Sequence, residues 1–196
     1  MFNAAVSKIV DSWVDYGVIE EENKDIYIYG LDLVLFSTLN LLVILSTAAV
    51  TGNLIESILL IIVTVPLQML GGGFHAKTHL NCFLIMYIGW WCVMWLTPNV
   101  STIALIGIVA CAVIIIFRLA PVANKNVPMS EGQSNKMKAL VRMCAVLFGL
   151  ISILSSDMFW GIQMISNYVA MGLGVIALSM LANKLQQQLR VRFTAK

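Results

Sequence analysis

Residues 100–119 read VSTIALIGIVACAVIIIFRL, with no charge before Arg118. A helix crossing a membrane needs about 20 mostly apolar residues, with a usual range of about 17–25. This run has that length and composition. Five more stretches fit the same template: 28–50, 54–70, 80–96, 139–154 and 158–181. The first has Asp32 near its start. The second contains Pro66, and the third carries Trp90, Trp91 and Trp95 toward its end. Turn signals separate some of the spans: TGN at 51–53, TPN at 97–99 and SSD at 155–157.

Composition supports the same reading. The 196 residues are 60% hydrophobic and 11% charged, whereas soluble domains carry about a quarter charged residues. So small a domain cannot hide so much apolar surface, so the surplus faces lipid. A net charge of +2 gives no reason to expect nucleic acid. The four cysteines, at 82, 92, 111 and 144, form no CxxC pair and no dense secreted framework. Three of them read as small hydrophobes in packed surroundings. Cys82 differs because of its neighbours.

Charge placement sets the expected orientation. Arg118, Lys125, Lys136, Lys138 and Arg142 surround a loop at 119–138, and Lys184, Arg190, Arg192 and Lys196 fill the tail. The TGN, TPN and SSD turns hold no Lys or Arg. Basic residues favour the cytoplasmic side. Six spans then put the N-terminus, residues 71–78, the 119–138 loop and the tail inside. The first 25 residues carry Asp11, Asp15, Glu20, Glu21, Glu22 and Asp25, the reverse of a basic signal-peptide start. A retained, cytoplasmic N-terminus is expected. Within it, Val6, Ile9, Val10, Trp13, Val14 and Gly17 recur at helical spacing. That pattern predicts an amphipathic helix on the membrane or on the protein's own cytoplasmic face. The expected fold is all-α: a polytopic membrane helical bundle of six spans in one domain, 1–196. It comprises an amphipathic interfacial helix at 1–25, a bundle at 28–182 and a cytoplasmic tail at 183–196.

The chemistry concentrates in GGGFHAKTHLNC, residues 71–82. Both histidines of the chain fall here. Polar groups clustered at a membrane interface are costly to desolvate and read as functional. One reading is a thiol nucleophile activated by histidine. His75 and Cys82 are seven residues apart, about 10.5 Å of rise on a straight helix, beyond a hydrogen bond of about 3 Å. His79, three before Cys82, is a helical neighbour. A bend at Gly71, Gly72 and Gly73 would instead let His75 approach Cys82. Geometry leaves both histidines open. A second reading is zinc held by His75, His79 and Cys82 at i, i+4, i+7. It lacks the glutamate base of an HExxH site, and Lys77 sits between the histidines. A transporter is a third class, but its pathway would need polar residues repeated at mid-span, which these spans lack.

This segment resembles the accessory gene regulator protein B (AgrB) family, small multi-pass membrane peptidases of bacterial quorum sensing. The likeness lies in a GG-x-HA motif with cysteine seven residues after the histidine. It extends to the acidic amphipathic N-terminus, the six spans and a central basic loop opening with Ala120–Pro121. The resemblance implies His75 as base and Cys82 as nucleophile. It implies cleavage of an autoinducer propeptide (AgrD-like) through an acyl-enzyme thioester, with cyclisation to a thiolactone or lactone and with no cofactor or metal. Family members commonly carry arginine upstream of the glycines; here Gln68 stands seven before His75. Lys77 or Lys125 would then contact an acidic substrate. Asp32, Asn81 and Gln68 are candidates for orienting the imidazole or binding an oxyanion. Partners expected are the propeptide, the lipid bilayer and, through the small-residue run AMGLG at 170–174, a second copy of the chain.

Overall fold

The computed structural model describes residues 2–74, 78–122, 131–156 and 162–194. Among them the regular structure is entirely helical: α1 (Phe2–Asp15), α2 (Lys24–Thr51), α3 (Leu54–Gly71), α4 (His79–Leu96), α5 (Thr102–Leu119), α6 (Glu131–Leu154) and α7 (Gln163–Thr194), with two short 3-10 turns. Six of these helices are long and apolar enough to cross a membrane. This is the all-α polytopic bundle that the hydropathy predicts. The chain divides into two compact units, residues 1–47 and 48–196.

In the first unit, α1 stops where Gly17 turns to φ +69°. The N–H of Val18 then bonds back to the carbonyl of Trp13 at 2.9 Å, and that of Gly17 to Val14 at 2.8 Å. This pattern closes a helix on a left-handed glycine. Val6 and Val10, one turn apart, are buried, while Ile9 remains exposed. Lys24 opens α2 and reaches Asp11 of α1 at 2.8 Å. The first long helix is longer than its apolar core suggests, because Lys24 and Asp25 stand in its first turn.

The second unit is built around α7. Half of the apolar window of α7 is buried inside the protein, against 28% or less for the other five spans. Its neighbours are α3, α5 and α6. The core joins Val63 and Leu67 of α3, Leu105, Val109 and Ile116 of α5, Val141 and Ala145 of α6, and Leu173, Ile176 and Met180 of α7. Small residues allow this centrality. A methyl group added at Gly172 would lie 2.9 Å from Val63 Cγ1, and one at Gly174 would lie 3.0 Å from Ile108 Cγ2. Without water to drive helices together, close backbone approach and van der Waals packing hold them. Both glycines of AMGLG are therefore used inside the subunit. Gly172→Val should overpack the α3–α7 contact, lowering stability by about 1–3 kcal/mol. Thermal unfolding in detergent reads this as a lower Tm; an unchanged Tm would contradict the close approach.

Polar side chains latch the spans at several depths. Trp90 of α4 donates through Nε1 to Ser57 Oγ of α3 at 2.9 Å, both residues buried. Ser152 of α6 donates to the Ser166 carbonyl of α7 at 2.9 Å. Gln163 donates to Thr102 at 3.2 Å, joining the starts of α7 and α5. Arg142 of α6 donates to the Phe117 carbonyl at 2.7 Å and lies over the Phe117 ring.

Three boundaries differ from the hydropathy reading. α6 begins at Glu131, so Lys136 and Lys138 stand on a helix rather than in a loop running to 138. α5 begins at Thr102, because Ser101 caps it by accepting the N–H of Ala104 at 3.4 Å. Helix α7 begins at Gln163 and continues to Thr194, so the described part of the stretch expected as a tail is helical. A hydropathy window loses these residues because they are polar.

Candidate active site

The glycine-rich segment interrupts the helices. α3 ends at Gly71 and α4 starts at His79, with residues 72–74 in non-helical conformation. A continuous helix from 71 to 82 is thus absent, as the His75–Cys82 spacing requires for a thiol–imidazole pair. His75 and Lys77 lie outside the described residues, as does Lys125. The second unit supplies everything described here around the break. Asp32 lies half-buried in α2 of the first unit.

Each glycine meets a different neighbour. Gly72 is the turning point, at φ +70° and ψ 158°, a region essentially closed to residues with a side chain. A Cβ there would also stand 2.8 Å from the Val122 carbonyl oxygen. Gly71 and Gly73 are glycines for want of space. A Cβ at Gly71 would collide with Met180 Cε and come within 3.3 Å of Val141 Cγ1. A Cβ at Gly73 would lie 2.8 Å from Ser179 Oγ and 3.2 Å from Gln68 Cδ. Gln68 is therefore half-buried alongside the segment that leads to His75.

The segment is held on both sides. The Gly71 carbonyl accepts the N–H of Val122 at 2.8 Å, just beyond α5. The N–H of Phe74 donates to Ser179 Oγ at 2.9 Å. Asn183 Nδ2 donates to the Gly73 carbonyl at 2.8 Å. Gln187 Nε2 donates in turn to Asn183 Oδ1 at 3.4 Å. Ser179, Asn183 and Gln187 recur at i, i+4, i+8 along α7. None of the three is among the candidates the sequence points to; the signal for them is their spacing along one helix face.

Thr78 restarts the helix. Its hydroxyl accepts the N–H of Asn81 at 3.3 Å, the usual way to satisfy an orphan donor in a first turn. The N–H of Cys82 bonds to the Thr78 carbonyl at 3.0 Å. The backbone donors of Asn81 and Cys82 are thus engaged, and any oxyanion donor must come from another group. Cys82 is half-buried in the first turns of α4, while His79 and Asn81 are exposed. All four cysteines are outside disulfides. Among the described residues, no three His, Cys, Asp or Glu side chains gather as a metal site. An aromatic row begins next to Cys82: Phe83 stacks on Tyr87 with ring centroids 5.6 Å apart, and Tyr87 on Trp90 at 6.0 Å.

Charge follows the fold. The site lies at the end of the second unit where α5 finishes with Arg118, where Arg142 joins α6 to Phe117, and where Lys184 follows Asn183. The turns at the opposite end, 51–53 and 97–99, carry no Lys or Arg.

A half-buried cysteine follows a pinned, glycine-built break with the HA dipeptide inside it, in a chain of six spanning helices. The family model for Accessory gene regulator B matches residues 6–186. The chain belongs to this family. No curated protein and no solved structure matches it. Membership in the accessory gene regulator B family ties the chain to quorum-sensing peptide processing. The matched range takes in α3, the break, Cys82, Ser179 and Asn183 alike.

Proposed function

We propose that the protein is a membrane-embedded cysteine endopeptidase that cuts an autoinducer propeptide and promotes closure of the released segment into a ring. The observation that carries this reading is the break itself. Helix α3 ends at Gly71, Gly72 turns the chain at a positive φ that only glycine adopts readily, and α4 restarts at His79, three residues before Cys82. That removes the geometric objection to His75 and Cys82 working as a pair.

In this reading, His75 takes the Cys82 proton, and the thiolate attacks the carbonyl carbon of the scissile bond. The C–N bond breaks, and the His75 imidazolium gives its proton to the departing amine. The propeptide's C-terminal tail leaves, and its N-terminal part stays on Cys82 as a thioester. A cysteine thiol within the bound part then loses its proton to His75 and attacks the thioester carbon. Cys82 departs as thiolate and recovers the proton. One acyl–sulfur bond replaces another, so ring closure needs no further activation. A serine in place of that cysteine would give a lactone. Water must stay out until the internal nucleophile arrives, and a site recessed at a membrane interface favours that. Gln68 and the Asn81 side chain are the neutral groups nearest in sequence that could face the oxyanion. No cofactor or metal enters the scheme.

By the positive-inside rule, the end bearing Arg118, Arg142 and Lys184 faces the cytoplasm of a bacterial cell. The substrate is then a short amphipathic peptide lying on the inner leaflet, in the plane of Cys82. Lys77 and Lys125 are the cations we assign to its acidic tail, by long-range attraction.

The test is capture of the thioester. The chain is co-expressed with a candidate propeptide, and the peptide containing Cys82 is weighed by mass spectrometry before and after hydroxylamine. A hydroxylamine-labile adduct on Cys82 is expected. His79→Ala should retain most cleavage, and a chelator should leave it unchanged. Loss of activity in His79→Ala together with chelator inhibition would replace the thiol scheme by the metal one.

A further inference from the structure

The reaction scheme uses residues of one short segment, yet the shape of that segment is set more than 100 residues away. Phe74 and Gly73 are the last described residues before His75. Their backbone makes two bonds to α7, separated from it in sequence by 105 and 110 residues. Ser179 accepts the N–H of Phe74, and Asn183 donates to the carbonyl of Gly73. The two groups belong to one trans peptide unit and point opposite ways, toward partners one turn apart on α7. Held together, they fix both the position and the rotation of the peptide unit that leads into His75.

The fit is mutual. Ser179 Oγ occupies the space a Cβ at Gly73 would need, at 2.8 Å. Asn183 is itself oriented by Gln187, which donates to its Oδ1 and so turns its Nδ2 toward the segment. Its orientation is thus set by a partner rather than left to rotation. Below this pair, Met180 fills the space beside Gly71. One face of α7 therefore cradles Gly71, Gly73 and Phe74 in succession. In a lipid-embedded bundle, non-helical backbone is tolerated only where protein satisfies its polar groups. Two hydrogen bonds are the minimum such a segment needs at Gly73–Phe74, and α7 supplies both.

We infer that Ser179 and Asn183 are positioning residues for the proposed peptidase reaction: they clamp the non-helical Gly73–Phe74 peptide unit that leads directly into His75. This inference rests on the peptidase reading above and adds α7 to its machinery. Both act on the backbone of the segment, which makes their role one of positioning. The clamp acts by geometry, and misplacing a catalytic group by about 1 Å can cost on the order of 100-fold in rate.

The experiment compares the full-length chain in detergent or membranes with Ser179→Ala, Ser179→Thr, Asn183→Leu and Cys82→Ala. Two quantities are followed: propeptide cleavage, resolved into kcat and KM, and the pH profile of iodoacetamide alkylation at Cys82, read by mass spectrometry. The second needs no propeptide. Ser179→Ala and Asn183→Leu should lower kcat by about 10- to 100-fold, with KM within about twofold of the original. Their alkylation profiles should move toward that of His75→Ala. Ser179→Thr, which keeps the hydroxyl, should restore most of the lost rate. Gly73→Ala should be less harmful in the Ser179→Ala background than alone, since the clash with Oγ is gone. Wild-type kcat and alkylation in Ser179→Ala and Asn183→Leu, beside an inactive Cys82→Ala, would overturn the clamp and leave the peptidase reading standing. A rate loss matched by an equal loss of folded protein, with an unchanged alkylation profile, would also overturn it. Full cleavage by Cys82→Ala would overturn both readings.

Discussion

Cys82→Ala should abolish propeptide cleavage while leaving the protein folded and in the membrane. The thiol is the only part removed, and alanine is a good helix former, so α4 and its Thr78 cap should persist. The substitution leaves a half-buried site, not a core void. Loss of activity should be total because, in the proposed reaction, Cys82 carries the acyl group. His75→Ala should lose about 10²- to 10⁴-fold, the usual contribution of a general acid–base group. Cleavage is followed by the size of the co-expressed propeptide, and folding by thermal unfolding in detergent. Cys92, Cys111 and Cys144 serve as controls, since each sits within a helix away from the break. Replacing them by alanine should preserve cleavage. Persistent cleavage by Cys82→Ala would remove the covalent mechanism altogether.

Gly72→Ala has the second-largest expected effect, on both fold and activity. Two costs coincide at this residue. The backbone at φ +70° and ψ 158° is strained for any residue with a Cβ, by about 1–3 kcal/mol. The added methyl also meets the Val122 carbonyl oxygen at 2.8 Å. That oxygen belongs to backbone, and the neighbouring Val122 N–H is bonded to the Gly71 carbonyl. Relieving the contact therefore pulls apart the bond that anchors the break. Overpacking of this kind costs about 1–3 kcal/mol more. Gly72→Ala should lower Tm clearly and reduce cleavage even in the fraction that remains folded. Gly17→Ala is a comparison. Gly17 also has a positive φ, 69°, but has open space around its Cβ position, so the substitution adds backbone strain without the clash and should leave cleavage intact. Equal loss of activity at both positions would mean that the contact with Val122 is not the deciding term.

Much of the fold was legible because lipid imposes a simple rule. A span must be long, apolar and helical, and hydropathy reads all three. Hydropathy does not say whether a polar stretch is helical: residues 183–194 continue helix α7, and Asn183 there bonds to the Gly73 carbonyl. Lys136 and Lys138 lie on α6, although charge dominates a local hydropathy window there.

The sequence by itself determined that six helices lie in a membrane, that its polar chemistry is gathered at 71–82, and that a straight helix there cannot join His75 to Cys82. Those conclusions need only residue type and spacing. What only the tertiary structure decided is why the break has its shape. Gly72 carries the turn, whereas Gly71 and Gly73 are small because Met180 and Ser179 occupy the adjoining space. The residues that hold the segment come from α7, over 100 positions away in sequence. A hydrogen bond depends on distance in space, and local sequence does not encode which distant helix will supply its partner.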